Sequence, residues 1–123
     1  RLNLAERFMI KDNHLLLNSK IFNKIEKMKT NKKKDVIMEC DNLYQVKKAI
    51  ILKINHILLD NMNIKKIKEA RKLIGKSAKI EVSGGINLQN IEKISKIGVN
   101  FISVGTITQS APAAKISLEL KKI

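Results

Sequence analysis

Two adjacent glycines after a serine, in the order Ser83, Gly84 and Gly85, are the first residues in this chain whose types suggest chemistry. They lie between an apolar stretch and a segment with helical spacing. Because glycine has no Cβ, the backbone can adopt positive φ there and approach a ligand closely. Successive backbone N–H groups in such a turn form a concave site for an anion. The expected ligand is a phosphate.

Polar residues or glycines also follow the other apolar stretches. They comprise a cation, several carboxylates and a second glycine turn: Lys11, Asp12, Glu39, Asp60, Gly105 and Thr106. Each has an ordinary structural explanation as well, as a solvated lysine, a capping or salt-bridging carboxylate, or a tight turn. If the apolar stretches are parallel strands, their carboxyl ends converge on one pocket, where α/β proteins bind ligands. This convergence is the reason to consider the residues together.

Hydrophobic periodicity predicts the elements that would position these residues. Short apolar runs alternate with segments whose apolar residues have helical spacing, which is typical of βα units and a parallel sheet buried on both faces. Asp41 or Asn42 is expected to cap one helix, and Gly75 to end the next. The predicted strands cover 7–12, 35–40, 56–60, 78–83 and 100–105, and the predicted helices 22–29, 42–53, 64–75 and 88–98.

The fold class predicted from this order is α/β, with alternating units that form part of an open (β/α) barrel. Residues 1–123 would be one partial catalytic domain, because no Pro or Gly cluster divides the chain. Five strands are too few to close an eight-stranded barrel, and the chain begins at Arg1 without an initiator Met. We therefore expect the C-terminal part of a longer protein. In the tail, residues 115–121 alternate as in a half-exposed strand, with a short amphipathic helix as the alternative.

The formal charge of +14 and the pI near 10 raise nucleic acid as a partner. Against this, the lysines are scattered, and the aromatic residues do not interleave with the basic run at 32–34. No run of about 18 apolar residues indicates a membrane span, so a soluble, cytoplasmic protein is expected. Cys40 is the single cysteine. It and the isolated histidines His14 and His56 are interpreted as structural, because no metal-ligand spacing or catalytic pairing is present.

Several stretches in order resemble one known family. The segments "RLNLAERFMIKDNH", "MECDNLYQV", "ILLDNM", "EVSGGINLQNI" and "GVNFISVGTITQSAPAAKISLEL" are similar to the C-terminal, catalytic part of the quinolinate phosphoribosyltransferases. The resemblance covers nearly the whole chain. The order and spacing of "IKDNH", "LLDNM" and "SGGI" carry its specificity.

The resemblance implies a glycosyl transfer in NAD biosynthesis. Quinolinate reacts with phosphoribosyl pyrophosphate, with Mg²⁺ assisting, and yields nicotinate mononucleotide, CO₂ and pyrophosphate. The family's quinolinate-binding cations match Arg1 and Lys11, and its carboxylates for ribose and metal match Glu39 and Asp60. The loops that surround the 5′-phosphate match Ser83, Gly84, Gly85, Gly105, Thr106, Ile107 and Gln109. No catalytic acid or base is assigned.

The chain also departs from the family pattern. The family has a His before the position of Arg1, an N-terminal domain with further cations, and an arginine contributed by the partner subunit of a homodimer. Gln109 stands where family members commonly have a His. We therefore expect little transferase activity from this 123-residue chain alone. A phosphate-binding remnant without catalysis and a basic nucleic-acid-binding module remain the alternatives.

Overall fold

The computed structural model describes residues 7–11 and 35–107. In that part of the chain, strands and helices alternate, and a short 3₁₀ helix follows the last strand at Gly105–Ile107. The strands are β1 (Arg7–Ile10), β2 (Asp35–Cys40), β3 (His56–Asp60), β4 (Lys79–Ser83) and β5 (Phe101–Ile102). The helices are α1 (Leu43–Ile51), α2 (Ile64–Ile74) and α3 (Ile91–Ser95).

The five strands form one sheet in the order β1-β2-β3-β4-β5, and every neighbouring pair is parallel. The predicted α/β class is therefore confirmed. Consecutive strands are neighbours in this sheet, as they are around a (β/α) barrel, whereas the strand order reverses in a doubly wound sheet. The described strands do not close a barrel. The order places the carboxyl ends of all five strands along one edge.

One face of the sheet packs against the helices and forms the core. Side chains alternate along a strand, so Ile57 and Leu59 of β3 both lie on this face, and neither is exposed to solvent. The helices present small or branched residues to it at helical spacing. The fully or almost fully buried members from the sheet and the helices are Met38, Cys40, Val46, Ala49, Ile57, Leu59, Ile67, Ala70, Ile74, Ile80, Val82 and Ile94.

The ends of α1 and α2 follow from local side-chain chemistry. Asn42, and not Asp41, caps α1, because its side-chain oxygen accepts a hydrogen bond from the Gln45 amide at 2.9 Å. Asn63 caps α2 in the same way through the Lys66 amide. At the other end of α2, the predicted stop is confirmed: Gly75 has φ +56°, and its N–H donates to the Arg71 carbonyl at 3.0 Å.

Two elements are much shorter than predicted, whereas the other described strands and helices differ from the prediction by at most two residues at either end. The helix expected over 88–98 covers Ile91–Ser95, because Asn87 accepts the amides of Gln89 and Asn90 on its side-chain oxygen and holds 88–90 in a turn. The strand expected over 100–105 covers Phe101–Ile102 before the chain turns at Gly105. The predicted helix over 22–29 and the tail over 115–121 lie outside the described residues. Within the described ranges, no helix is long and apolar enough to cross a membrane.

The buried thiol of Cys40 gives a test of this packing. Burial, followed by the charges of Asp41 and Glu39, raises the pKa of Cys40 from 9.0 to about 12. Thiol reagents react with the thiolate. We therefore expect Ellman's reagent at pH 8 to label the native protein at least about 100-fold more slowly than the protein unfolded in guanidinium chloride. Rapid stoichiometric labelling of the native protein would show that this face of the sheet is open.

Candidate active site

The carboxyl ends of β3 and β4 lie side by side at the edge where ligands are expected. Asp60, the last residue of β3, pairs in register with Ser83, the last residue of β4. Both side chains lie on the face of the sheet opposite the helices, as does Glu39 of β2, whose register partner is Leu58. We name this face, which carries Glu39, Asp60 and Ser83, the pocket face. The parallel register thus gathers three of the predicted site residues.

Lys11 and Glu39 form an ion pair across β1 and β2. The Lys11 ammonium nitrogen lies 3.3 Å from Glu39 Oε2. The lysine side chain is 52% exposed, whereas that of Glu39 is 20% exposed, so the carboxylate lies deeper and the cation faces solvent. An ammonium group carries three donors, so a single lysine can contact more than one acceptor. This arrangement makes Lys11 accessible to an acidic ligand at the strand ends.

Asn61 connects the Asp60 end of β3 to the turn after β4, and the sequence interpretation did not assign it. Its backbone N–H donates to the Ser83 carbonyl at 3.0 Å, and its side-chain amide donates to Asp60 Oδ2 at 2.8 Å. Asn61 has φ +51°, a left-handed conformation that asparagine adopts more readily than most residues. The "DN" pair after the apolar "ILL" was the signal for such a turn. Asn61 fixes the orientation of the Asp60 carboxylate.

The glycine turn adopts the left-handed backbone that its sequence predicts. Gly84 has φ +76° and Gly85 has φ +63°. A Cβ at Gly84 would lie 2.8 Å from the backbone nitrogen of Asn61, whereas one at Gly85 would meet open space. Within the described part of the chain, the amide groups of Gly84 and Gly85 donate to no acceptor. They are therefore available to an anion.

The second glycine turn follows β5. Gly105 begins the 3₁₀ helix that ends at Ile107, and both residues are exposed, with Ile107 at 81%. Thr106 lies between them in the backbone of this turn. Arg1 and Gln109, the remaining predicted site residues, fall outside the described ranges. The two glycine turns thus follow adjacent strands, β4 and β5, at the same edge of the sheet.

A third carboxylate on the pocket face, Glu81, was also missed. Its Oε2 lies 3.0 Å from His56 Nε2, and its Oε1 accepts the Ser103 hydroxyl at 2.5 Å. The His56 ring stacks on Phe101, with 5.6 Å between the ring centres. His56 was interpreted as an isolated structural histidine. Sequence spacing could not show this cluster, because its members belong to β3, β4 and the segment after β5.

A groove of about 580 Å³ runs along the outside of the Gly84–Gly85 turn, between the loops that follow β3 and β4. Asn61, Lys65 and Asn90 provide polar groups along it. Gly84 and Gly85 line it too.

No group of three or more His, Cys, Asp or Glu residues in 7–11 and 35–107 is close enough to hold a metal ion. The oxygen donors relevant to a hard cation at this edge are Glu39 and Asp60. Mg²⁺ is commonly bound through one or two carboxylates together with substrate phosphates and water. Two carboxylates at the same edge as the Ser83–Gly85 turn fit that mode of binding.

Comparison with known proteins identifies the family. The model of the "Quinolinate phosphoribosyl transferase, C-terminal domain" family matches residues 1–119. The chain belongs to the quinolinate phosphoribosyltransferase family. Among curated relatives, the chain is 33% identical over 129 residues to a probable carboxylating nicotinate-nucleotide pyrophosphorylase of Methanocaldococcus jannaschii. It is 31% identical over 140 residues to the chloroplastic carboxylating nicotinate-nucleotide pyrophosphorylase of Arabidopsis thaliana.

Solved structures agree with this assignment to the quinolinate phosphoribosyltransferases. The chain is similar to the nicotinate-nucleotide pyrophosphorylase of Ehrlichia chaffeensis, with a TM-score of 0.79 and 39% sequence identity over 89% of this chain and 40% of that one. The two curated relatives are matched over 98% of this chain, which covers 45% and 40% of their lengths. The chain therefore spans less than half the length of these relatives.

The different surroundings of Gly84 and Gly85 give a prediction for the site, because a Cβ at Gly84 would meet Asn61 and one at Gly85 would meet open space. Gly85→Ala should lower the free energy of unfolding by about 1–2 kcal/mol, the cost of a left-handed alanine. Gly84→Ala adds overlap with the Asn61 backbone, so this variant should lower the free energy of unfolding by about 2–5 kcal/mol. Urea denaturation of the two variants measures the difference. Equal losses would contradict the close contact between the Gly84 turn and Asn61.

Proposed function

We propose that the strand-end pocket is the catalytic part of a quinolinate phosphoribosyltransferase, which converts quinolinate and phosphoribosyl pyrophosphate to nicotinate mononucleotide, CO₂ and pyrophosphate. The observation that carries the proposal is the arrangement at one sheet edge. There, an accessible cation paired with a carboxylate, Lys11 with Glu39, lies along the same edge as Asp60 and the Ser83–Gly85 turn. The cation suits the carboxylates of quinolinate, the acidic side chains suit the ribose, and the glycine turn suits the 5′-phosphate.

Lys11 is the proposed contact for quinolinate. Quinolinate carries two carboxylates, and removing them from water requires fixed cations nearby. Two unit charges 4 Å apart attract by about 4 kcal/mol at an effective dielectric constant of about 20. Lys11 is half exposed, so solvent screens part of that attraction. Arg1 is proposed as the second cation on the basis of the family resemblance.

Glu39 and Asp60 are proposed to bind the ribose hydroxyls and to stabilise the sugar during the transfer. As pyrophosphate leaves C1 of the ribose, positive charge develops on the ring, and fixed carboxylates stabilise that charge. Asp60 is held by Asn61 and Glu39 by Lys11, so neither needs to reorient during the reaction. When bound, Mg²⁺ would neutralise the leaving pyrophosphate, and Glu39 and Asp60 are its proposed protein ligands.

The glycine turns are proposed to bind the 5′-phosphate. The amide groups of Gly84 and Gly85 lack acceptors within the described part of the chain, and they would donate to the phosphate oxygens. Ser83, Gly105, Thr106, Ile107 and Gln109 would complete this site. A phosphate bound between two adjacent turns places the ribose over the pocket face, toward Asp60.

The remaining features of the working enzyme are proposed from the resemblance. They are a homodimer in which the partner completes the pocket, and a cytoplasmic location. Because the chain spans about 40% of the curated relative from Arabidopsis thaliana, the additional cations would come from sequence beyond this chain. On that basis the 123-residue chain alone should bind substrates weakly and turn them over little.

The binding test uses phosphoribosyl pyrophosphate and quinolinate as probes in isothermal titration calorimetry with Mg²⁺ present. Lys11→Gln should weaken quinolinate binding by about tenfold, because one charge-assisted contact is lost. It should change the affinity for phosphoribosyl pyrophosphate much less. The matched control is Lys96→Gln, since Lys96 also pairs with a glutamate, Glu92 at 2.6 Å, but is an exposed residue at the C-terminal end of α3.

Turnover is measured as release of CO₂ from carboxyl-labelled quinolinate. We expect it from the natural polypeptide if that polypeptide carries the rest of the family's sequence, and little from the 123-residue chain. Absence of binding to both probes by both proteins would refute the proposal. Binding to nucleic acid that weakens steeply with salt and is indifferent to phosphoribosyl pyrophosphate would instead favour the basic-module alternative, which the charge of +14 motivates.

A further inference from the structure

The cluster of His56, Glu81 and Ser103 lies on the pocket face and has no part in the function proposed above. Glu81 precedes Ser83 by two residues, so both side chains lie on the same face of β4. The Glu81 side chain is 22% exposed and that of His56 is 8% exposed. A carboxylate this deep in a mostly apolar sheet requires hydrogen-bond partners, and here both of its oxygens have one.

Strand β5 is the shortest strand of the described sheet. Its register with β4 comprises two pairs, Glu81 with Phe101 and Val82 with Ile102, whereas β3 and β4 share five. Two further backbone hydrogen bonds extend the pairing, from the Ser103 amide to the Val82 carbonyl and from the Asn100 amide to the Ile80 carbonyl, both at 2.9 Å. The Phe101 side chain is 47% exposed. The bond at Ser103 lies two residues before the Gly105–Ile107 turn, so contacts of Ser103 bear directly on the position of that turn.

The cluster supplies two side-chain contacts between this strand and its neighbours. The Ser103 hydroxyl donates to Glu81, which joins the segment after β5 to β4. The His56 ring stacks on Phe101, which joins β5 to β3 across the strand between them. His56 also contacts Glu81 Oε2 and so limits the orientations of the carboxylate that receives Ser103. The three side chains form one connected network.

We propose that His56 is a positioning residue which, through Glu81 and Ser103, fixes the Gly105–Ile107 turn relative to the Ser83–Gly85 turn. The ligand whose affinity this spacing controls is a phosphate ester held between the two turns. This part of the inference rests on the function proposed above. A shift of either turn would leave the amides of one turn out of reach of a phosphate already bound to the other, because hydrogen bonds weaken steeply with distance and angle.

Two substitutions of His56 separate its hydrogen bond from its ring stacking. His56→Phe keeps an aromatic ring beside Phe101 but cannot donate to Glu81. His56→Gln removes the ring but retains an N–H donor. If His56 positions the Gly105–Ile107 turn through Glu81, the Phe variant should lose this positioning and the Gln variant should keep most of it. A purely structural role in filling the space beside Phe101 predicts the opposite order.

Two further variants test the network without changing a buried ring. Glu81→Gln keeps the shape but removes the charge that strengthens both hydrogen bonds. Ser103→Ala removes the hydroxyl. Their matched controls are Glu92→Gln and Ser95→Ala on α3, where Glu92 also pairs with a cation and the Ser95 hydroxyl also donates a hydrogen bond, to the Glu92 carbonyl at 2.8 Å.

The first measurement is amide hydrogen exchange by NMR in the purified protein. His56→Phe and Glu81→Gln should each accelerate exchange of the Ser103 amide, which is bonded to Val82, by about tenfold. The Asn61 amide, bonded to Ser83, should exchange at its wild-type rate and serves as the internal reference. Unchanged Ser103 protection in both variants, or equal acceleration at Asn61, would overturn the inference.

The second measurement is the affinity for phosphoribosyl pyrophosphate by calorimetry. His56→Phe, Glu81→Gln and Ser103→Ala should each weaken it by about tenfold, with His56→Gln and both controls within about twofold of wild type. Equal losses in the Phe and Gln variants would overturn the role of Glu81. If the wild-type protein binds no phosphoribosyl pyrophosphate, the proposed function fails for it, and the exchange of Ser103 still decides whether the network positions the second turn.

Discussion

The parallel register between β2, β3 and β4 is the constraint on which the candidate site depends. It sets Asp60 opposite Ser83 and places Glu39 beside Leu58, so polar side chains from three strands share one face and one edge. A slip of one residue in any pair would turn these side chains toward the helices and bring Ile57 or Val82 to the pocket. The aliphatic residues that pack under α1 and α2 oppose that slip, because they would lose their burial. The hydrophobic core therefore holds the site in register.

Three carboxylates on the pocket face are each matched to a donor. Glu39 contacts Lys11, Asp60 accepts from Asn61, and Glu81 accepts from Ser103 and contacts His56. Without such partners, the desolvation of each carboxylate would oppose folding. The same contacts fix the side chains in orientation, which a site that stabilises developing charge requires. The same contacts thus satisfy the carboxylates and organise the pocket.

Backbone conformations that most residues avoid occur in both loops at this edge. Asn61, Gly84 and Gly85 all have positive φ, and Gly84 lies against the Asn61 backbone so closely that no side chain fits between them. The two loops after β3 and β4 therefore depend on each other. Such conformations cost free energy, and folded proteins retain them where the surrounding structure or a ligand requires them. Here they leave two successive amides available for an anion.

The sequence by itself determined the fold class, the element order and the positions of most strand ends, because hydrophobic period and glycine or asparagine signals are local properties. It also contained the motifs that mark the family. The sequence pattern overestimated the lengths of α3 and β5, because the Asn87 turn and the turn at Gly105 override the apolar pattern beside them. It could not show that Glu81 meets His56 and Ser103, residues 25 and 22 positions away. Such contacts arise from strand pairing between distant segments, so tertiary structure alone decided which polar residues share a face, which carboxylate each donor reaches and how the two turns are held.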